Sequence, residues 1–263
     1  MVVSTVMKPI RRAPSTTLVP VAAATLATLA ALALGACGSA ASPGAGSSGG
    51  STVVGGTMPA ASGSGSGGSG GVSEATGTSG DVRLVATVAP GSPATGGGIK
   101  AEPGVVVEYT LSNTGSAPLA AVDVVPTALG SASLPADADR QHAWVYAHEG
   151  TVRVSKQGFA TAPNVRFAAA PTIGARTLPA GGTLTGRAFV PTPLARAVPG
   201  ADFTAPSDPL PAAAGSFSFC VQVGPAGSPM RRSAAVQGVL ETPVAAPAGD
   251  TLVCTDALAL PES

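Results

Sequence analysis

Apolar residues alternate with polar ones at a period of two through much of this 263-residue chain after Asp81. The clearest runs are 82–88 and 105–111, where Val, Leu, Ala and Tyr occupy every second position. This period is typical of strands that place one face against a core and the other in water. Similar runs recur near 119–126, 141–148, 151–155, 164–168, 182–190, 215–223, 234–240 and 250–257. Because the sequence has no long amphipathic helix pattern, it predicts an all-β, antiparallel sandwich over 81–263.

A proline-rich segment at 191–211 marks a possible domain boundary, since it holds six prolines in 21 residues. About 53 residues follow it, and they contain three of the candidate strands. Three strands do not readily build a two-layer core of their own. We therefore expect these strands to complete the sheets begun upstream, within one domain.

The first 36 residues carry the charge pattern of a secretory signal peptide. Lys8, Arg11 and Arg12 lie in a start without acidic residues, and 18–34 contain no charge. As a helix with a rise of about 1.5 Å per residue, that apolar segment spans roughly 26 Å, which is marginal for a bilayer. Length alone leaves a cleaved signal peptide and a retained anchor both open.

The apolar segment ends in Leu34-Gly35-Ala36-Cys37, which resembles the lipobox of bacterial lipoproteins. The resemblance implies that a diacylglycerol is attached to Cys37 through a thioether and that 1–36 is removed by cleavage before this cysteine. The protein would then sit on the extracytoplasmic face of the cell membrane. Two acyl chains hold a protein on a bilayer where one myristoyl chain would release it. The alternatives are an uncleaved anchor and a soluble, secreted domain with an unmodified Cys37.

Residues 37–80 read as a flexible tether after the lipidated cysteine. The 43 residues from 38 to 80 include 15 Gly and 11 Ser, a single charge at Glu74 and no aromatic residue. Such a composition buries too little apolar surface to fold, so a disordered linker is predicted. Its root-mean-square reach is roughly 36 Å for a Gly/Ser chain of this length.

The stretch 103–119, PGVVVEYTLSNTGSAPL, with Val122 and Asp123 after it, resembles immunoglobulin-like repeat domains of bacterial surface proteins. The later stretch 178–184, LPAGGTL, is similar to the turn before a late strand in such domains. The resemblance implies an immunoglobulin-like fold and a role at the cell surface. Independently of it, Asn113 and Gly115 suit a turn that needs a positive φ or an Asx hydrogen bond.

Cys220 and Cys254 are the two cysteines that remain once Cys37 is set aside. An even pair in an exported protein predicts a disulfide, which would close a loop of about 34 residues and stabilise the fold by roughly 3–4 kcal/mol. Apolar residues at 217, 219, 221 and 223 occupy the opposite face of the Cys220 strand. The bridge is therefore expected on the outer face. Neither cysteine has a C-x-x-C partner, so no metal site is predicted.

Both histidines and the only tryptophan fall within seven residues: His142, Trp144, Tyr146 and His148, followed by Glu149. On a strand these four alternate residues share one face, and 143, 145 and 147 form a small, apolar opposite face. In one interpretation the aromatic face is exposed and stacks on a ligand such as a glycan, or holds a metal with Glu149. In the other, favoured because aromatic residues are scarce here, Trp144 and Tyr146 fill the sandwich core and the histidines lie at wetter strand ends.

Charge composition excludes a nucleic-acid partner. The chain balances 14 basic against 14 acidic residues, and loss of the signal peptide would leave three acids in excess. Our first hypothesis is a non-enzymatic surface lipoprotein without a cofactor, held by the lipid bilayer, whose partner is a cell-wall polymer or another envelope protein. The alternative is a small envelope hydrolase or metal-dependent enzyme centred on His142, His148 and Glu149, although no nucleophile motif supports it.

Overall fold

The structure, a computed structural model, describes residues 72–94, 99–227, 230–244 and 250–261. The predicted signal peptide, Cys37 and most of the predicted tether lie outside these ranges. Twelve strands make up the regular structure of the described ranges: β1 (Ser73–Ser79), β2 (Val82–Gly91), β3 (Gly104–Asn113), β4 (Leu119–Val124), β5 (Trp144–His148), β6 (Thr151–Lys156), β7 (Thr172–Leu178), β8 (Thr183–Pro191), β9 (Ser216–Pro225), β10 (Arg231–Arg232), β11 (Leu240–Pro243) and β12 (Thr251–Ala259). Within the same ranges, no helix has the length and apolar character needed to cross a membrane.

The first sheet has four strands in the order β1-β2-β3-β8, and every neighbouring pair is antiparallel. The second sheet has eight strands. Seven follow the order β10-β11-β7-β4-β9-β6-β5, and the eighth, β12, pairs with β9 outside this order. The pair β6–β9 is parallel, unlike the purely antiparallel arrangement that the sequence predicts. Because β9 pairs with β4, β6 and β12, one late strand joins the middle and the end of the chain into one sheet.

A single apolar cluster fills the space between the two sheets, and we call it the sandwich core. It contains the alternating residues of the predicted runs 82–88 and 105–111 from the first sheet. The second sheet contributes Val152 and Val154 of β6 and Phe217, Phe219 and Val221 of β9. The prediction of an all-β sandwich is therefore confirmed, and the arrangement is compatible with an immunoglobulin-like topology.

The first strand begins at Ser73, inside the segment that the sequence predicts to be tether. Its residues are small or polar, and Ala75 is the one that enters the sandwich core. This strand forms through main-chain pairing with β2 at seven positions. Because such pairing needs few apolar side chains, the strand has the composition of a linker. Gly77 lies so close to the main-chain carbonyl of Cys254 in β12 that a β-carbon there would overlap it.

Strand β7 was missed by the sequence pattern, which placed a strand at 164–168 instead. Gly174 and Arg176 take the inward positions of β7, so the expected apolar alternation is absent. The 164–168 segment has no strand, and Phe167 stacks on Phe203 with ring centroids 5.5 Å apart. Its apolar residues therefore reflect contact with a covering segment rather than strand periodicity.

The proline-rich segment 191–211 packs on the domain instead of separating two domains. Main-chain bridges join Ala197 to Val145 and Phe203 to Thr161. Phe203 also enters a second apolar cluster, which lies on the outer face of the second sheet. This outer cluster consists of Val122, Val125, Trp144, Tyr146, Phe159, Ile173, Phe203 and Val244.

Cys220 and Cys254 form a disulfide between β9 and β12, as the sequence predicts. The two residues face each other in the strand register, with Cα atoms 4.1 Å apart. Because Phe219 and Val221 on either side of Cys220 point into the sandwich core, the bridge lies on the opposite face of the sheet. Cys220 is nevertheless fully buried there.

The turn predicted at Asn113 forms an Asx hydrogen bond, since the Gly115 amide donates to Asn113 Oδ1 at 3.0 Å. The Asn113 side-chain amide also donates to the carbonyls of Ala117 and Pro179, at 2.8 and 3.1 Å. These bonds tie the turn after β3 to the turn before β8. Gly181 in that second turn has a φ of 64°, a conformation that favours glycine.

Candidate functional site

The aromatic strand at 144–148 is buried on both faces. Ala143 and Val145 point into the sandwich core, whereas Trp144 and Tyr146 belong to the outer cluster. Trp144 Nε1 donates to the Gln157 carbonyl at 3.0 Å, and Gln157 Nε2 donates to Tyr146 Oη at 2.9 Å. The favoured interpretation was right about burial and wrong about the layer: the small residues face the sandwich core, and loops cover the large ones. These rings are therefore not an exposed stacking surface.

The two histidines do not come together in one site. His142 and His148 lie at opposite ends of an extended segment, about 20 Å apart at roughly 3.3 Å per residue. His142 is half-buried, with Nδ1 3.0 Å from the Val125 carbonyl and its ring edge against Trp144, and it lines a mainly apolar cavity of about 260 Å³. His148 Nε2 lies 3.9 Å from Glu149 Oε2 on the surface. No group of three or more His, Cys, Asp or Glu side chains in the described ranges is able to hold a metal ion.

Acidification is expected to destabilise the fold through His142. Burial lowers the pKa of His142 to about 4, and nearby Lys156 lowers it too, while the Val125 carbonyl and Asp139 act in the opposite direction. The unfolded chain, with a histidine pKa of about 6.5, then binds more protons between pH 6.5 and 4, so stability falls as the pH falls through that window. We expect the free energy of unfolding to be about 2 kcal/mol lower at pH 5 than at pH 7 from this group.

Urea titrations at the two pH values check this expectation. The variant His142→Gln should lose that part of the pH dependence, and the matched control His148→Gln should keep it. An equal pH dependence in the wild type and in His142→Gln would contradict the prediction.

A cluster of charged residues closes one end of the sandwich core. Asp123, Lys156 and Arg176 take inward positions on β4, β6 and β7, next to apolar inward residues of the same strands. Tyr109 reaches them from β3 of the opposite sheet, and Arg140 from the loop before β5. We call these five residues the ion-pair cluster.

Asp123 is the centre of this cluster. Its side chain is 1% exposed, and its Oδ1 accepts hydrogen bonds from Tyr109 Oη at 3.0 Å and from Arg176 Nη2 at 3.2 Å. Its Oδ2 lies 2.8 Å from Arg176 Nε and 3.5 Å from Arg140 Nε. The 2.8 Å contact does not have hydrogen-bond geometry, so it acts through charge alone.

Lys156 is fully buried beside Asp123. Its ammonium donates to the main-chain carbonyls of Asp123, at 2.7 Å, and of Arg140, and it lies 5.9 Å from the centre of the Tyr109 ring. Burial lowers the pKa of Lys156 to about 8, although the charge of Asp123 opposes the shift. The side chain is thus mainly charged at pH 7, and it ties the loop before β5 to β4.

The Tyr109 ring lies over the edge strand β8, where the residue paired with Tyr109 is Gly186. A β-carbon at Gly186 would overlap the Tyr109 ring. Burial, and then the negative charge of Asp123, raise the pKa of Tyr109 well above its usual value, so the phenol stays neutral. Arg176 caps the same edge by donating to the Thr185 carbonyl.

A cleft of about 660 Å³ opens over this end of the sandwich, and we call it the arginine cleft. Asp123, Arg140 and Arg176 line one end of it. The rest of its floor is the outer face of the first sheet, where Glu74, Thr87, Glu108 and Arg187 form one row across the four strands. Val85, Thr110 and Thr185 form the next row along these strands.

Charge is unevenly distributed along this floor. Three guanidinium groups and the ammonium of Lys156 lie at the β8 end, where the Asp123 carboxylate forms ion pairs with Arg140 and Arg176. Glu108 lies directly opposite Arg187 across β3 and β8, and Glu74 lies three strands away, at about 14 Å from Arg187. Arg187 forms no ion pair within the described ranges, and its buried Nε has no hydrogen-bond partner there.

The sequence did not reveal the ion-pair cluster, because its members come from five separate elements and form no motif. A signal was nevertheless present in the strand patterns. Along β6 the inward series reads Val152, Val154, Lys156, so an apolar series ends in a charge. In β4 the aspartate stands in an otherwise apolar strand, LAAVDV. A charged side chain at a core-facing position needs an oppositely charged partner. The two such positions, Asp123 in β4 and Lys156 in β6, therefore indicate that these side chains lie close together.

Comparison with protein-family models, with curated proteins and with solved structures gives no match for this chain.

Proposed function

We propose that this protein is a lipoprotein of the cell envelope, anchored through Cys37, whose immunoglobulin-like sandwich binds a partner and catalyses no reaction. The arginine cleft is the observation that carries the binding role: it is large, polar and built on strands of two sheets. The lipobox-like Leu34-Gly35-Ala36-Cys37 supports the anchor. The Cys220–Cys254 disulfide supports an oxidising, extracytoplasmic location, where such bonds persist.

The partner we propose is a cell-wall polymer or another envelope protein, reached from the lipid bilayer by the Gly/Ser tether. The enzyme alternative has weaker support, because the residues it would use, His142, His148 and Glu149, lie at the two ends of one strand. His142 is also engaged with the Val125 carbonyl and Trp144. Binding therefore accounts for the described geometry better than hydrolysis does.

Metabolic labelling with a fatty-acid analogue, followed by cell fractionation, tests the anchor. We expect the wild-type chain to be labelled and to sediment with membranes, and Cys37→Ala to lose the label and to accumulate uncleaved. The matched control Cys220→Ala removes a different cysteine and should keep the label. If the wild type and Cys37→Ala are both membrane-bound, unprocessed and unlabelled, the chain is not a lipoprotein.

A further inference from the structure

The β8 end of the arginine cleft carries more positive charge than the carboxylate of Asp123 neutralises. Arg140 and Arg176 share the single carboxylate of Asp123, and their side chains are 42% and 23% exposed. Lys156 adds a third cation directly behind them. Arg187 lies on the floor in front of them with its buried Nε unpaired among the described residues. Guanidinium groups donate in a planar fork that suits carboxylate and phosphate oxygens.

The acidic residues of the same floor limit how much negative charge a ligand can carry. Glu108 is the immediate cross-strand neighbour of Arg187, and Glu74 lies about 14 Å from it. A second anionic group over β3 or β1 would lie within about a Debye length, roughly 8–10 Å, of one of these carboxylates and would be repelled by it. Threonine hydroxyls at 87, 110 and 185 instead offer hydrogen bonds to an uncharged chain.

We propose that the arginine cleft binds its ligand through a single oxyanion group, a carboxylate or a phosphate, held by Arg187, Arg176 and Arg140. The uncharged part of the ligand then lies across the threonines towards Glu108. This inference deepens the binding role proposed above and names the chemistry of its ligand. It does not depend on the lipid anchor, because the cleft is formed entirely by the described sandwich.

Titration of the full chain, purified in a non-ionic detergent, with simple probes tests the inference. The carboxylate probe is acetyl-alanyl-alanine, observed by saturation-transfer NMR, and its C-terminal amide is the uncharged match. The phosphate probe is inorganic phosphate, observed by ³¹P line broadening, and inorganic triphosphate is the polyanionic match. We expect at least one single-oxyanion probe to bind, the amide to bind about tenfold more weakly than the free acid, and triphosphate to bind no more tightly than phosphate.

Two variants assign the binding to the cleft. Arg187→Gln removes a guanidinium group without breaking an observed ion pair, and we expect it to weaken binding about tenfold. Glu108→Gln removes the neighbouring negative charge and should tighten binding about threefold, a gain that a damaged fold cannot produce. Arg83→Gln, an exposed arginine on the same outer face but beyond the cleft, is the matched control and should change nothing.

Each outcome decides the inference. Binding of the carboxylate alone or of phosphate alone supports it and identifies which oxyanion the cleft accepts. Failure of both probes to bind, or equal weakening by Arg187→Gln and Arg83→Gln, overturns it. Triphosphate that binds tenfold more tightly than phosphate overturns the limit to one charged group. If the chain is not lipidated but still binds the probes, the proposed anchor is wrong and this inference is unaffected.

Discussion

Replacing Asp123 by alanine is expected to lower the free energy of unfolding by about 3–5 kcal/mol. The substitution leaves Arg176 largely buried without its paired carboxylate, and it leaves the fully buried Lys156 without the negative charge of Asp123 beside it. It also removes the acceptor of the Tyr109 hydroxyl. Breaking a buried ion pair by removing one partner costs this much because the remaining charge is left uncompensated. Urea unfolding followed by Trp144 fluorescence measures the loss.

Asp208→Ala makes the same chemical change at an exposed position and should alter stability by less than about 0.5 kcal/mol. Asp123→Asn keeps the shape and one acceptor oxygen but loses the charge, so its cost should lie between the two. Combining Asp123→Ala with Arg176→Ala should cost less than the sum of the single variants, by about 1–3 kcal/mol. Additive losses would show that Asp123 and Arg176 do not stabilise the fold as a pair. An Asp123→Ala variant as stable as Asp208→Ala would show that the cluster contributes little to stability.

The second large effect is expected at Trp144, where substitution by alanine should cost about 3–5 kcal/mol. The side chain is 2% exposed and packs edge-on against His142 and Phe159. Its removal leaves a cavity in the outer cluster and leaves the Gln157 carbonyl without its donor. Because Trp144 is the only tryptophan of the chain, far-UV circular dichroism replaces fluorescence as the probe of unfolding.

Val72→Ala truncates an exposed apolar residue, 66% accessible, and serves as the control with a change below about 0.5 kcal/mol. Trp144→Phe keeps most of the volume and should fall between the two. The shape of the transition also carries information. A single cooperative transition at lower denaturant would show that the outer cluster and the sandwich core unfold together. A Trp144→Ala variant of unchanged stability would mean that the loops over the second sheet open independently of it.

The strands that face the sandwich core could be predicted from the sequence, because one side of each must be apolar. This holds for β2 and β3, where Leu84 and Leu111 belong to unbroken period-two runs. The same pattern did not predict β1 and β7. Main-chain pairing forms β1 almost without side-chain burial, and Arg176 on β7 faces inward, where the pattern requires an apolar residue.

The candidate site was harder to predict than the fold, because it depends on which strands become neighbours. The disulfide could be foreseen because, once Cys37 is set aside as the predicted lipidation site, only Cys220 and Cys254 remain to pair. The ion-pair cluster could not, because Asp123 and Lys156 are 33 positions apart and meet only after both strands join the same sheet. For the aromatic strand the sequence favoured burial of Trp144 and Tyr146 over a ligand face, but it could not predict the layer, because the loop that bears Phe159 covers them on the outer face of the second sheet.

The way β1 is held has a mechanical consequence if the lipid lies where the sequence predicts. A pull transmitted through the tether would enter the fold at Ser73, the first residue of β1. There the strand is secured by its hydrogen bonds to β2, by the Ser73 hydroxyl, which accepts from the Ala259 amide at 3.1 Å, and by the close contact of Gly77 with β12. Tension along β1 would thus load many main-chain bonds in shear at once and spread to the disulfide-linked strands, instead of peeling the first strand away one bond at a time.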